Sequence, residues 1–127
     1  MRSIEWLAGL LEGEGCFTRQ KHRSGTSTPL ITVVMTDEDV VGEAGTLIEH
    51  LGGRSLKIIR RMLPSGKVAF DARVTGLPAV KVMWAVLPFM GKRRSKEIHR
   101  IVSEWSPRVY KEAVAFREEI LGNQGVL

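Results

Sequence analysis

The chain has 127 residues, of which 43% are apolar and 26% charged, the composition of one soluble globular domain with a single core. Nineteen Lys and Arg against fourteen Asp and Glu give a net charge of +5, so the surface attracts polyanions, nucleic acid foremost among them. No apolar run approaches the roughly 18 residues of a membrane span. The N-terminus lacks the basic-then-apolar order of a signal peptide, and the lone Cys16 excludes an internal disulfide or a multi-cysteine zinc cage; the chain reads as cytosolic.

In chain order, Ser3 can cap a first helix whose apolar residues Ile4, Leu7, Leu10 and Leu11 recur at helical spacing, ending at the glycines of residues 13–15. Residues 16–22 and 30–35 read as a hairpin, punctuated by Ser24-Gly25-Thr26-Ser27 and Pro29. Thr36 with Asp39 resembles a capping box, and Val40, Val41, Ala44, Leu47, Ile48 and Leu51 supply the stripe of a second helix closed by Gly52 and Gly53. A second hairpin is expected over 55–62 and 67–75, turned by Pro64-Ser65-Gly66. Helical segments follow over 79–87 and 94–105, separated by Pro88 and the Gly91-Lys92-Arg93 turn. Ser106 and Pro107 begin a last helix, to about Leu121. Residues 1–127 are taken as one domain, with 106–127 a C-terminal helix and tail.

The order α-ββ-α-ββ-α predicts an α+β fold in which helices cover the apolar face of an antiparallel sheet and leave its polar face open. That open face is expected to display Thr18, Gln20, His22, Thr32, Lys67, Asp71 and Arg73, with Lys57 and Arg61 from the third strand. A one-residue slip would turn Arg19 and Lys21 outward instead. Charge is segregated in the same sense. Between Gly52 and Lys96 stand eleven basic residues and one acid, Asp71, whereas Asp37, Glu38, Asp39, Glu43 and Glu49 crowd a segment without Lys or Arg. One electropositive face is implied.

The first helix carries the most specific pattern. Trp6 precedes Leu7-Ala8-Gly9-Leu10-Leu11-Glu12-Gly13-Glu14-Gly15, and Cys16-Phe17 follow. The run closely resembles the LAGLIDADG motif of homing endonucleases, with Glu at both acidic positions. Val34-Met35-Thr36-Asp37, Val74-Thr75-Gly76 and Leu87-Pro88-Phe89-Met90-Gly91-Lys92-Arg93 are similar to later landmarks of that family, so the resemblance covers roughly residues 3–105. It implies the αββαββα endonuclease fold, with its sheet on double-stranded DNA and phosphodiester hydrolysis as the reaction. A single copy of the motif implies a homodimer on a near-palindromic target.

The residues support this reading independently. Gly9 and Gly13 stand four apart on one helix face, where a second backbone can approach closely; with Leu7 and Leu10 they form the expected dimer interface. Glu14 falls just past the helix end, where the macrodipole disfavours a carboxylate by about 0.3–1 kcal/mol, and Glu12 adds a like charge. Something cationic should compensate. Two such carboxylates near a two-fold axis suit hard divalent cations, Mg²⁺ or another such as Mn²⁺, and the resemblance implies Glu14 and Gly13 as the residues that hold them. Ca²⁺ is expected to bind without supporting cleavage.

The resemblance also places Lys92 or Arg93, with Lys92 favoured, in the pocket of the attacking water, and Asp37 at a second position contacting that water. A helix-capping role for Asp37 is the stronger reading of the residue itself. Val41 is apolar where the family leads one to look for a polar pocket residue. Arg23, in the first hairpin, joins the residues expected on DNA. His22, His50 and His99 are too scattered for zinc, no phosphate-cradling Gly-rich loop is present, and Cys16 has no base beside it. Neither a membrane nor a small-molecule substrate is expected. The rival reading is a protein that binds DNA or intron RNA on the same scaffold without cutting, as a regulator or maturase; a purely structural helical dimer is a remoter one.

Overall fold

In the computed structural model, which describes residues 2–112 and 114–115, the first helix is α1 (Ile4–Glu14). Ser3 caps it as expected, its hydroxyl accepting the Trp6 N–H at 3.1 Å. Leu7, Ala8 and Leu11 form its buried face, and each of the two leucines contributes about 1.5–3 kcal/mol by leaving water. No residue separates α1 from β1 (Gly15–Lys21), so Glu14 closes the helix instead of lying beyond it. A Cβ on Gly15 would come within 2.8 Å of the Leu11 carbonyl oxygen, which restricts this junction to glycine.

Strand β2 (Ser27–Met35) begins three residues before the apolar alternation does. Its polar start pairs with the end of β1, Ser27 opposite Lys21 and Thr28 opposite Gln20. Pro29 is tolerated because its main chain faces β4 (Val68–Thr75) where that strand has ended: Thr75 pairs with Leu30, and the Pro29 carbonyl accepts the Gly76 N–H at 2.9 Å.

Helix α2 (Glu38–Gly52) is capped by Asp37, not by the expected Thr36–Asp39 box. Asp37 Oδ1 accepts the Val40 N–H at 3.2 Å, a stronger cap than threonine and one that the helix dipole favours. Gly53, at φ 74°, closes α2. Strand β3 (Ile59–Met62) is shorter than the expected 55–62. The preceding residues pack on α2: Leu56 N–H donates to the Glu49 carboxylate at 2.8 Å, and the Leu56 and Ile58 side chains cover Gly45.

The four strands form one antiparallel sheet in the order β1-β2-β4-β3. Helix α3 (Leu77–Val86) holds Pro78 in its first turn, and a 3₁₀ turn (Leu87–Phe89) absorbs Pro88. Helix α4 (Lys92–Trp105) starts two residues earlier than expected, so Lys92 and Arg93 are its first turn. The chain is helical again over 107–112, with the Ser106 hydroxyl accepting the Val109 N–H at 3.3 Å. The expected end of that helix near Leu121 lies outside the described residues.

Cross-strand rows Gly15–Val33–Ala72 and Phe17–Ile31–Val74 face the helices, meeting a core that includes Leu11, Ile48, Met83, Val86, Ile98 and Val102. The expected register therefore holds. Arg19 lies on the helix side and forms a 3.3 Å ion pair with Glu104 of α4. Among the described residues no helix is long and apolar enough to cross a membrane.

Candidate functional site

The pairing register assigns Cys16, Thr18, Gln20, Thr32, Arg61, Asp71 and Arg73 to the sheet face opposite the core, because side chains alternate strictly along strands. Thr18 and Arg61 are exposed, Gln20, Thr32 and Arg73 half-buried. Cys16 is exposed on this face. His22 and Arg23 leave the strand and sit at the tip of the first hairpin, the His22 ring 3.1 Å from the Thr28 hydroxyl. Lys67 belongs to the second hairpin's turn, where its carbonyl accepts the Leu63 N–H at 2.8 Å. Lys57 lies in the segment before β3, displaced from the expected strand by the packing of Leu56 and Ile58 on α2.

Asp71 departs from expectation. Its side chain is 0% exposed, so it cannot offer its carboxylate to a base edge. It lies between Val34 and Ile59 of the neighbouring strands; its Oδ2 accepts a hydrogen bond from Arg73 Nη2 at 2.9 Å and forms an ion pair with Arg61 Nη2 at 3.1 Å. A buried carboxylate thus anchors two half-exposed guanidinium groups on the open face, with charge-assisted bonds that fix the planar forks.

At one end of the sheet the last turn of α1 meets the first turn of α4. Glu12 turns back toward this contact, its carboxylate accepting the Gly91 N–H at 3.3 Å and so supplying an anion to the N-terminus of α4. A cation from α4 reaches the backbone at the end of α1: Arg94, whose side chain is 11% exposed. Its Nη2 donates to the carbonyls of Gly15 at 2.8 Å and Glu12 at 3.3 Å, bracketing Gly13 and Glu14, while Nη1 meets Glu97 at 3.1 Å. The Arg94 guanidinium also stacks over Phe17, 5.5 Å from the ring centroid. Sequence reasoning passed over Arg94 in favour of its neighbours; the Lys-Arg-Arg run marks the segment, but contacts spanning 79 and 82 residues leave no local signature.

This docking brings exposed Lys92 and Arg93 to the same junction as the exposed Glu14. Asp37 is at the same end of the sheet, just past Met35, its carboxylate engaged in the helix cap. Val41 is fully buried in the core and contributes nothing to the junction.

The outer face of α1 carries Gly9 and Gly13, and a Cβ built on either meets nothing within 4 Å. Leu10 is half-buried beside them. Leu7, expected on this face, is 0% exposed and packs in the chain's own core on the opposite side of the helix. It is not available to a partner.

For a cation, the exposed Glu14 carboxylate and the Gly13 carbonyl, in a helix turn whose carbonyls lack intrahelical partners, are hard oxygen donors. Such a set fits Mg²⁺, which takes one or two carboxylates and completes its shell with water and phosphate oxygens. Among the described residues no group of three or more His, Cys, Asp or Glu side chains could hold an ion.

No family model matches the sequence, and no curated protein matches it. Solved structures do. The LAGLIDADG meganuclease I-AabMI, bound to uncleaved DNA, superposes with a TM-score of 0.61 at 14% identity over 89% of this chain. The chain spans 39% of that meganuclease. The I-LtrWI LAGLIDADG homing endonuclease bound to target DNA matches with a TM-score of 0.46 at 18% identity, over 92% of this chain and 39% of that one. A variant of the homing endonuclease I-DmoI, solved with its target DNA in the presence of manganese, gives 0.44 at 14% identity, over 83% and 74%. The fold of this chain is that of the LAGLIDADG homing endonucleases.

Proposed function

We propose that this chain is a site-specific, divalent-metal-dependent double-strand DNA endonuclease that acts as a homodimer on a near-palindromic target. The observation that carries the reading is the direct passage of α1 into β1, which sets an exposed carboxylate, Glu14, at the edge of a sheet face carrying Thr18, Gln20, Thr32, Arg61 and Arg73. The glycine face of α1 supports pairing of two copies, because a second helix can approach where no side chain intervenes. A two-fold pair places both Glu14 residues between two sheets, and two half-sites follow from the symmetry.

Each chain lays its sheet in the major groove of one half-site. Thr18, Gln20 and Thr32 meet base edges, while Arg23, Lys57 and Lys67, which lie outside the strands, neutralise phosphates at the periphery, with His22 beside them at the hairpin tip. Glu14 and the Gly13 carbonyl would hold a divalent cation, which when bound would supply an activated water and charge stabilisation at the scissile phosphate. Lys92, or its neighbour Arg93, would line the water pocket from the first turn of α4. Asp71 orients arginines and does not itself read a base.

The test is incubation of the full chain with a randomised duplex library in Mg²⁺ and, in parallel, in Ca²⁺. Cleavage in Mg²⁺ and intact bound duplex in Ca²⁺ are expected. Glu14→Gln abolishes cutting and keeps affinity within about tenfold, or ~1.4 kcal/mol. Intact bound duplex in both metals would replace the enzyme with a binding protein, and unchanged cutting by Glu14→Gln would remove Glu14 from the site.

A further inference from the structure

The buried Asp71 raises a question of specificity. A site built to attract phosphate gains from every uncompensated positive charge, yet here a carboxylate is buried beneath two arginines, lowering their joint charge from two to one. What that arrangement supplies is orientation. Arg73 gives one Nη2 hydrogen to Asp71 while Arg61 is held beside the same oxygen as an ion pair, and each keeps N–H groups for a planar, two-acceptor partner; the O6 and N7 edge of guanine in the major groove is that partner. Both side chains stay accessible, 49% exposed for Arg61 and 37% for Arg73, and both strands place them on the open face.

We infer that Arg61 and Arg73, hinged on one oxygen of Asp71, form a paired guanine reader, so that each target half-site carries two guanines no more than two base-pair steps apart. The spacing comes from the geometry. The two Nη2 atoms lie 3.1 and 2.9 Å from a single Oδ2, which holds them within about 6 Å of each other. Successive base pairs are about 3.4 Å apart, so the pair spans adjacent or next-adjacent positions, on either strand of the duplex. The inference rests on the sheet entering the major groove, as proposed above, and makes no use of cleavage.

The experiment is selection of bound duplexes from a randomised library in Ca²⁺, with the full-length wild type and three variants. The wild-type pool is expected to be enriched in two guanines within two steps in each half-site. Arg73→Ala relaxes preference at one of these positions and Arg61→Ala at the other, each by roughly five- to a hundredfold. Asp71→Asn relaxes preference at both positions; should it fail to fold, the two arginine variants decide the matter alone. Uniform weakening on all sequences, with the salt slope reduced by about one phosphate per arginine, would show phosphate contacts and overturn the reader. No duplex binding by the wild type would overturn the DNA reading and the reader together. Guanine-enriched binding without cutting in Mg²⁺ would support the reader and refute the nuclease.

Discussion

Replacing Arg94 with Met removes the clamp between α1 and α4 while keeping an unbranched apolar stem against Phe17. The variant loses a 2.8 Å bond to the Gly15 carbonyl, a longer 3.3 Å bond to the Glu12 carbonyl and the 3.1 Å pair with Glu97. Hydrogen bonds to a charged group contribute about 1.5–3 kcal/mol each at good geometry; the longer bond counts for less. Arg94 Nε is buried without a partner, so its removal returns part of the loss. The expected net destabilisation is about 3 kcal/mol, equivalent to roughly 9–15 °C in Tm for a chain of this length. Urea unfolding at a fixed protomer concentration reads it as a lower midpoint with unchanged slope. Cleavage should fall further than stability alone explains, because Gly13 and Glu14 lie between the two carbonyls that Arg94 holds. A loss of less than about 0.5 kcal/mol, with cleavage intact, would refute the clamp and leave α1 held by its apolar face alone.

Asp37→Ala should cost about 1 kcal/mol in thermal unfolding through loss of the α2 cap, whereas Asp37→Asn, which can still accept from Val40, should match the wild type in both stability and cutting. Cutting lost in Asp37→Asn at unchanged Tm would instead give Asp37 a place beside the water. A Cβ at Gly9 meets nothing within 4 Å, so Gly9→Leu should yield a folded monomer in sedimentation, while Gly9→Ala gains up to about 1 kcal/mol of helix stability. A persistent dimer in Gly9→Leu would rule out pairing through this face. Affinity for target duplex should fall steeply with added salt, and a slope equivalent to only one or two phosphates would contradict the assignment of the basic sheet and hairpins to DNA.

What was legible in the sequence was whatever a local rule determines. Ser3, the Pro78 turn and the Ser106–Pro107 start all act within one turn of a helix, and period-two alternation placed Thr18, Thr32 and Arg73 on the right face. Errors arose where distant residues decide the outcome. β3 starts late because Leu56 and Ile58 are drawn to Gly45, and Leu7 is buried because the inward side of α1 needed apolar surface more than its outward side did. Asp71 looked like one more polar residue on an open face until Arg61, from the next strand, converged on the oxygen that Arg73 also holds. Arg94 was hidden among three consecutive basic residues; only folding distinguishes the one turned inward from the two left in water.

The seamless passage from α1 to β1 has a consequence for how such a molecule can change. Glycine at 15 admits no side chain and no spacer separates the helix from the strand, so the joint has no slack. Exchange of side chains along the strands can alter what is recognised without displacing Glu14. Insertion of even one residue at the joint would reverse which strand side chains face outward. Substitution is therefore an open route to new targets for this scaffold, and a change of length at this joint is a closed one.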